Sequence, residues 1–149
     1  MKIINRKFNR EYQMIESLET GISLIGAEVK SIKQGHMNLN DAFVKIMGSE
    51  AYLVNADIPV YQYARPQGYD SRRSRKLLLH KKELLRFKTK IQSGERLTLA
   101  PVNCYNKAGL IKLEIALVKG RRQIEKKKLD KERDIRRAQE REMKEYVKS

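Results

Sequence analysis

Much of residues 1–118 consists of short runs of strand-forming residues separated by turn-forming residues, and the run at 110–118 alternates apolar and polar side chains over its first half. Runs of this kind are typical of β-strands with one buried face. The strand-like runs are residues 11–24, 39–47, 51–58, 96–105 and 110–118. Because Gly21 divides the first run, the pattern predicts about six short strands. Gly48-Ser49 and residues 106–109 are good turn sequences, and each predicts a hairpin.

Two segments have the longer period of a helix that packs one face on a core. Residues 25–33 place three apolar side chains on one helix face and are followed by Gly35, which predicts a short helix. Residues 77–91 place five apolar side chains on one face and leave their lysines in solvent, which predicts a second helix. Residues 59–75 hold two of the chain's three prolines, and we expect a mobile loop there.

These elements predict a fold class that is mostly β with inserted helices. We expect a small OB-like antiparallel barrel over residues 1–118, with residues 119–149 as a separate basic tail. Barrels of this kind often bind nucleic acids, but the fold alone is weak evidence for a function.

Charge narrows the class of partner. The formal net charge is +15 and the pI is about 10.0, so the protein attracts phosphate or an anionic membrane face. A membrane role is disfavoured because the sequence has no apolar run of spanning length, and its N-terminus has no apolar signal core. Cys104 is the only cysteine, which excludes an internal disulfide and fits a reducing, cytoplasmic location.

The tail, residues 119–149, carries 13 Lys/Arg and 7 Asp/Glu and is too polar to build a core. Favourable pairs such as Glu132–Arg136 are offset by repulsive pairs such as Lys127–Lys131, so an isolated helix would be marginal. We therefore predict a tail that is disordered when free and helical when bound to a large polyanion. A tail that merely keeps the protein soluble remains the alternative.

A second concentration of positive charge lies in residues 65–90, which have ten Lys/Arg and two acidic residues. Arginine suits phosphate because its planar fork donates two parallel hydrogen bonds. Tyr61, Tyr63 and Tyr69 lie just upstream and can stack on unpaired bases. For each tyrosine taken singly, packing on the barrel is the favoured interpretation.

A catalytic role finds little support. His36 and His80 are the only histidines, and both are distant in sequence from Cys104, which lies among apolar strand residues and is expected to pack in the core. The sequence has no phosphate-binding glycine loop, zinc-ligand spacing or nucleophile elbow. We therefore expect a binding protein with no catalytic residues, no metal and no cofactor.

Three motifs in register resemble one known family. Residues 26–31 (GAEVKS), 75–80 (RKLLLH) and 116–122 (ALVKGRR) are similar to the signatures of the small protein B family, the SsrA-binding proteins. The resemblance implies an OB-like barrel that binds the tRNA-like domain of transfer-messenger RNA. It also implies delivery of that RNA to stalled bacterial ribosomes for trans-translation, with the protein standing in for the codon–anticodon arm.

The resemblance and the charge pattern together give a set of candidate RNA-binding residues. Glu19, Leu78 and His80 occupy RNA-contact positions of the family; from the residues alone, an exposed strand charge, a core leucine and a helix cap are the preferred readings. The full RNA-binding set is Glu19, Glu28, Lys30, Arg72, Arg73, Arg75, Lys76, Leu78 and His80.

The resemblance also assigns the tail to the decoding centre and the mRNA channel of the small ribosomal subunit. The candidate ribosome-binding residues are Lys119, Gly120, Arg121, Arg122, Ile124, Glu125, Lys126, Lys127 and Lys128. Ile124 departs from the family pattern, which usually has an aromatic or imidazole ring there. We expect folding of the tail in an empty channel to sense the missing message.

Two other classes of function stay open from the residues. A ribosomal protein or general RNA chaperone with a basic extension is the main alternative, and a membrane-surface protein is a weaker one. We expect the protein to be a monomer when it is free.

Overall fold

The computed structural model describes residues 2–148. Seven strands, four α-helices and one 3₁₀ turn follow each other along this part of the chain. In order they are β1 (Lys2–Ile4), α1 (Phe8–Glu11), β2 (Tyr12–Ile22), α2 (Gly26–Lys33), β3 (Phe43–Met47), β4 (Glu50–Val54), the 3₁₀ turn (Gln62–Ala64), β5 (Arg75–Leu78), α3 (Lys81–Ile91), β6 (Leu97–Lys107), β7 (Leu110–Gly120) and α4 (Gln123–Lys148).

Six of the strands close into an antiparallel ring. The order around the ring is β6-β3-β4-β5-β2-β7, and β7 pairs with β6 to close it, while β1 adds to β6. The β6–β7 hairpin turns at Ala108 and Gly109, which both have positive φ, as a tight hairpin with right-handed strand twist requires. The predicted mostly β, OB-like barrel with inserted helices is confirmed.

The interior of the ring is filled by aliphatic side chains and sealed by two helices. Ile32 of α2 and Phe87 of α3 are wholly buried against the strand residues. A second, smaller cluster lies outside β6 and β7, where Phe8 packs on Ala116 and Val118. Because β7 is covered on both sides there, its alternation of polar and apolar residues ends half-way along the strand.

Cys104 lies in the main core, as the sequence predicts. Its side chain is wholly buried, and desolvation raises the pKa of the thiol to about 12, so the sulfur stays protonated at neutral pH. The predicted role in core packing is confirmed.

The structure corrects three details of the predicted elements. Residues 77 and 78 do not begin a helix, because β5 pairs with both β2 and β4 and their strand hydrogen bonds fix it as extended chain. β1 and α1 were not predicted, since segments of three or four residues give almost no periodic signal. β7 also continues to Gly120, two residues beyond the predicted end of the barrel.

A buried ion-pair cluster joins α2 to β5 and to the loop between β4 and β5. The Glu28 carboxylate is wholly buried and accepts hydrogen bonds from Arg75, with Nε at 2.8 Å and Nη2 at 2.6 Å. Arg73 and the hydroxyl of Tyr69 also donate to it, and the backbone N–H of Ile25 does so at 3.0 Å. Burial opposes ionisation, but these donors prevail and hold the pKa of Glu28 below its ordinary value.

We predict that Arg75→Met lowers the free energy of unfolding by about 3–5 kcal/mol, because it leaves the Glu28 carboxylate buried without its main partner. Lys76→Met is the matched control. Lys76 is the next residue and forms an exposed ion pair with Glu50 at 3.0 Å, so its loss should cost far less than the loss of Arg75. Urea denaturation of both variants measures the difference, and equal losses would contradict the importance of the buried pair.

Candidate nucleic-acid interface

Glu19, Gly21 and Leu78 lie together on the outer face of the barrel. Gly21 of β2 pairs with Leu78 of β5 on one side and with Lys112 of β7 on the other. Residues paired across strands project to the same face of a sheet, as do residues two apart in one strand. The register therefore brings Glu19 to the same face as Leu78, although 59 positions separate them in the sequence.

The exposed leucine of this face depends on a glycine beneath it. Leu78 is 58% exposed, which is high for a leucine next to a barrel core. A Cβ added to Gly21 would lie 3.2 Å from Cδ1 and 3.3 Å from Cβ of Leu78, a tighter contact than side chains normally make. Glycine thus lets the leucine side chain lie across β2, where it borders a groove of about 250 Å³ with Leu110 and Val29. The result is a small apolar platform suited to a flat ring.

Glu19 is held in place at the edge of this platform. The hydroxyl of Tyr105 donates to its carboxylate, and Nζ of Lys107 lies 3.3 Å from Oε1. The hydrogen bond from Tyr105 is the main reason that the pKa of Glu19 lies below its ordinary value. Desolvation, followed by the same hydrogen bond, raises the pKa of Tyr105 to about 12. An ionised, fixed carboxylate can accept hydrogen bonds from amino or hydroxyl groups of a ligand.

His80 lies two residues after Leu78, at the position that caps α3. Its backbone N–H donates to Oε1 of Glu83 at 3.2 Å, while the imidazole is exposed. His80 therefore lies at the cap of α3, as predicted from the residues, and its ring is exposed at the surface. Beyond it, Arg86 and Lys90 of α3 both pair with Glu16, so that part of the helix is partly neutralised.

The sequence predicts that the arginines of residues 72–75 bind phosphate, but the structure leaves only some of them at the surface. Arg75 is wholly buried and Arg73 donates to Glu28. The predicted direct RNA contact by Glu28 and Arg75 is therefore wrong, because neither side chain reaches the surface. Both residues instead have an internal, structural role. The other members of the set are at the surface: Arg72 donates to Asn55 at 3.1 Å, Lys76 pairs with Glu50, and Lys30 is exposed.

The start of the tail is fixed to the barrel. Lys119 and Gly120 are strand residues that pair with Gln13 and Tyr12 of β2. The backbone N–H of Arg121 donates to the carbonyl oxygen of Glu11 at 2.9 Å, and its Nε donates to that of Asn9 at 2.8 Å. Residues 119–121, predicted as the start of a separate tail, thus form an ordered connection that sets the direction in which α4 leaves the barrel.

The first turns of α4 contact α1 through two ion pairs. Lys126 lies 2.8 Å from Glu11, and Arg10 lies 3.1 Å from Asp130. The other predicted tail residues are exposed or half-buried, with Ile124 at 76% exposure. They are Arg122, Glu125, Lys127 and Lys128.

Beyond residue 130, α4 is almost wholly exposed over its described residues. The helical form of the tail is confirmed, and its disorder in the free protein stays a prediction. At about 1.5 Å per residue, a helix of 26 residues extends roughly 39 Å. It is therefore a long cationic rod whose first turns contact α1.

Within residues 2–148 no cluster of three or more side chains is arranged to hold a metal ion. No described helix has the length and apolarity that crossing a membrane requires.

Sequence reasoning missed Gly21, Tyr105 and Lys107 as parts of this face. The predicted break at Gly21 is wrong, because β2 continues through this residue; the need for a glycine there comes from the side chain of Leu78, in a strand that is distant in sequence. Tyr105 and Lys107 come close to Glu19 only through the pairing of β6, β7 and β2.

Comparisons with known proteins give a consistent result. The family model described as "SmpB protein" matches residues 2–145. An SsrA-binding protein of Sulfurihydrogenibium sp. (strain YO3AOP1) is 44% identical over 144 residues, covering 97% of this chain and 94% of the relative. One of Persephonella marina is 45% identical over 133 residues, covering 89% and 87%.

A chain of the solved structure described as "tmRNA-SmpB: a journey to the center of the bacterial ribosome" is similar in fold. The TM-score is 0.67 at 36% sequence identity, and the match covers 85% of this chain and 92% of that one.

We predict that Tyr105→Phe raises the pKa of Glu19, because it removes the hydrogen bond that contributes most to the lowered value. The matched control is Tyr52→Phe, since the hydroxyl of Tyr52 donates to Glu50 in the same way and is the main cause of that residue's lowered pKa. Carboxyl carbon NMR titration of both variants should show each change only at its own glutamate. An unchanged Glu19 in Tyr105→Phe would contradict the described contact.

Proposed function

The chain belongs to the SmpB protein family, and we propose that it binds the tRNA-like domain of transfer-messenger RNA and delivers this RNA to stalled ribosomes for trans-translation. The observation that carries the proposal is the match over residues 2–145, which includes both the barrel and most of the tail. Ribosome rescue needs one part that binds the RNA and one part that binds the ribosome, and the barrel and the tail of this chain suit these two tasks.

The barrel face provides the contact with the tRNA-like domain. Leu78 supplies a flat apolar surface for a base, and the ionised carboxylate of Glu19 accepts from base amino or ribose hydroxyl groups. His80 follows on the same side with an exposed ring that can stack or donate to phosphate. Lys107 and Lys112 add positive charge around the groove. The barrel face therefore recognises the shape of the RNA together with some of its unpaired nucleotides.

The tail provides the contact with the ribosome. Arg121 fixes the start of α4, so the barrel and the helix have a defined relative direction at their junction. The exposed cationic helix suits a phosphate-lined groove, and the mRNA channel of the small subunit is such a groove when no message fills it. A channel that contains message excludes the helix. In this way the tail distinguishes a stalled ribosome from a translating one, while the protein stands in for the codon–anticodon arm.

This function requires RNA and ribosomes in one compartment, so the protein acts in the bacterial cytoplasm. It acts by binding and is not an enzyme. Sequencing the RNA that copurifies with the intact chain separates this proposal from a ribosomal protein, which would bring ribosomal RNA as its stoichiometric partner.

We predict that Leu78→Ser weakens binding of the tRNA-like domain by about tenfold or more, because it removes the exposed apolar side chain that a base covers, and burying a leucine is worth about 1.5–3 kcal/mol. The matched control is Leu85→Ser on α3, where the leucine is 65% exposed and lies outside the groove. Filter binding or fluorescence anisotropy with the transcribed domain measures both affinities. Equal affinities in the two variants would rule out a specific role for Leu78.

We also predict that a chain ending at Arg122 keeps its affinity for transfer-messenger RNA but fails to tag nascent chains on stalled ribosomes. The truncation point matters because residues 119–121 complete β7 and its hydrogen bonds to the first helix. Earlier truncation would disturb the barrel itself. An in vitro tagging reaction measures rescue, and gel shift measures RNA binding. Loss of RNA affinity in this truncation would contradict the division of work between barrel and tail.

A further inference from the structure

A second concave site lies on the far side of α2 from the Leu78 face. Val29 of α2 borders the groove beside Leu78, whereas Lys30 and Ser31 line a cavity of about 420 Å³ between α2 and the loop that follows β4. That volume falls in the ~300–1,000 Å³ range of pockets that bind small ligands. One helix therefore separates the two sites.

An exposed aromatic pair stands at this cavity. Tyr61 lines it and is 69% exposed, and Tyr63 beside it is 80% exposed. The two rings meet edge to face, with centroids 5.2 Å apart and an angle of 61° between planes. Packing on the barrel, favoured from the sequence for each tyrosine, holds for Tyr69, whose hydroxyl shares its one proton between the carbonyl oxygen of Ile58 at 2.6 Å and Glu28 at 3.2 Å. Large exposed rings in a cluster are typical of binding surfaces.

The charge around the cavity favours an anionic ligand. Lys30 and His36 line it and are both exposed, and none of the described residues that line it is acidic. The nearby carboxylate of Glu28 is buried and occupied by Arg73 and Arg75. A ligand that combines a flat ring with a phosphate therefore fits both the aromatic and the cationic side chains.

The cavity is also held in shape before any ligand binds. The hydroxyl of Ser31 donates to the carbonyl oxygen of Pro59, which ties the start of the loop to α2. The backbone N–H of Ile58 donates to the carbonyl of Ser71 at 2.9 Å, and Tyr69 donates to that of Ile58 at 2.6 Å. The two ends of the loop are thereby fixed, so less order has to be gained when a ligand binds.

We propose that this cavity receives an unpaired nucleotide of the same RNA that binds the Leu78 face. The base stacks on Tyr61, and the phosphate lies near Lys30 and His36. The inference rests on the proposed function and adds a second contact to it. It explains why α2 presents exposed polar and cationic residues on the side away from Leu78.

Binding of the transcribed tRNA-like domain by the full chain tests this inference. Tyr61→Ala should weaken binding about 5- to 30-fold, the usual effect of removing one stacked base contact, whereas Tyr61→Phe keeps the ring and should stay within about twofold. Because Tyr61 is mostly exposed, both variants should fold, and circular dichroism checks this. Equal affinity of Tyr61→Ala and the unchanged chain, or equal loss in both variants, would overturn stacking at Tyr61.

A fluorescence measurement gives an independent readout. The chain has no tryptophan, so Tyr61→Trp places a single reporter at the cavity, and Tyr146→Trp places one near the far end of the tail as control. The transcribed domain should quench emission in Tyr61→Trp and leave Tyr146→Trp largely unchanged. Absence of quenching in Tyr61→Trp while the RNA is bound would overturn the inference.

The two proposals fail in different ways. If the unchanged chain does not bind the transcribed domain, the proposed function is wrong and this inference with it. If the chain binds and Leu78→Ser weakens binding, but the Tyr61 variants behave like the unchanged chain, only the inference is wrong.

Discussion

The buried pair between Glu28 and Arg75 is the interaction on which both binding surfaces depend. Arg75 begins β5, and three residues later the same strand presents Leu78 at the outer face. Glu28 lies in the first turn of α2, which borders the Leu78 groove on one side and the Tyr61 cavity on the other. The pair thus fixes β5 relative to α2. A buried charge that loses its partner is costly, so the alternatives to this arrangement are strongly disfavoured.

This pair also shows what sequence could and could not predict. Two of the three motifs that resemble the family contain one member of it, so the resemblance located important residues. Their chemistry was assigned incorrectly, because an arginine that binds a buried carboxylate and one that binds phosphate use the same planar fork. The sequence shows that an arginine guanidinium is present, but it does not show which anion the guanidinium binds. The deciding information is burial, which comes from the packing of α2 on β5.

The secondary-structure elements could be predicted from sequence where a strand or helix pattern extends over many residues. β6 and β7, with 11 residues each, were predicted from long runs of strand-forming residues on either side of a good turn. The strand conformation of Leu77 and Leu78 could not be predicted in this way, because two adjacent leucines before a helical segment fit the pattern of a helix as well as that of a strand. Their strand conformation follows from pairing with β2 and β4, and a single sequence does not state such distant pairing. The same limit explains why Tyr105 was not connected with Glu19, since their contact crosses β7.

At the junction between barrel and tail, the position where the tail begins is fixed, but the helix that follows is held to the barrel only by weak contacts. Strand pairing of β7 and the hydrogen bonds of Arg121 fix where the tail begins and where it points. The next contacts, Glu11–Lys126 and Arg10–Asp130, are partly exposed ion pairs of the kind that contributes little to stability. Such pairs start the first turns of α4, which lowers the cost of nucleating a helix whose own charges make it marginal. They are also weak enough to exchange for phosphate. The helix can therefore be oriented by the barrel without being retained by it.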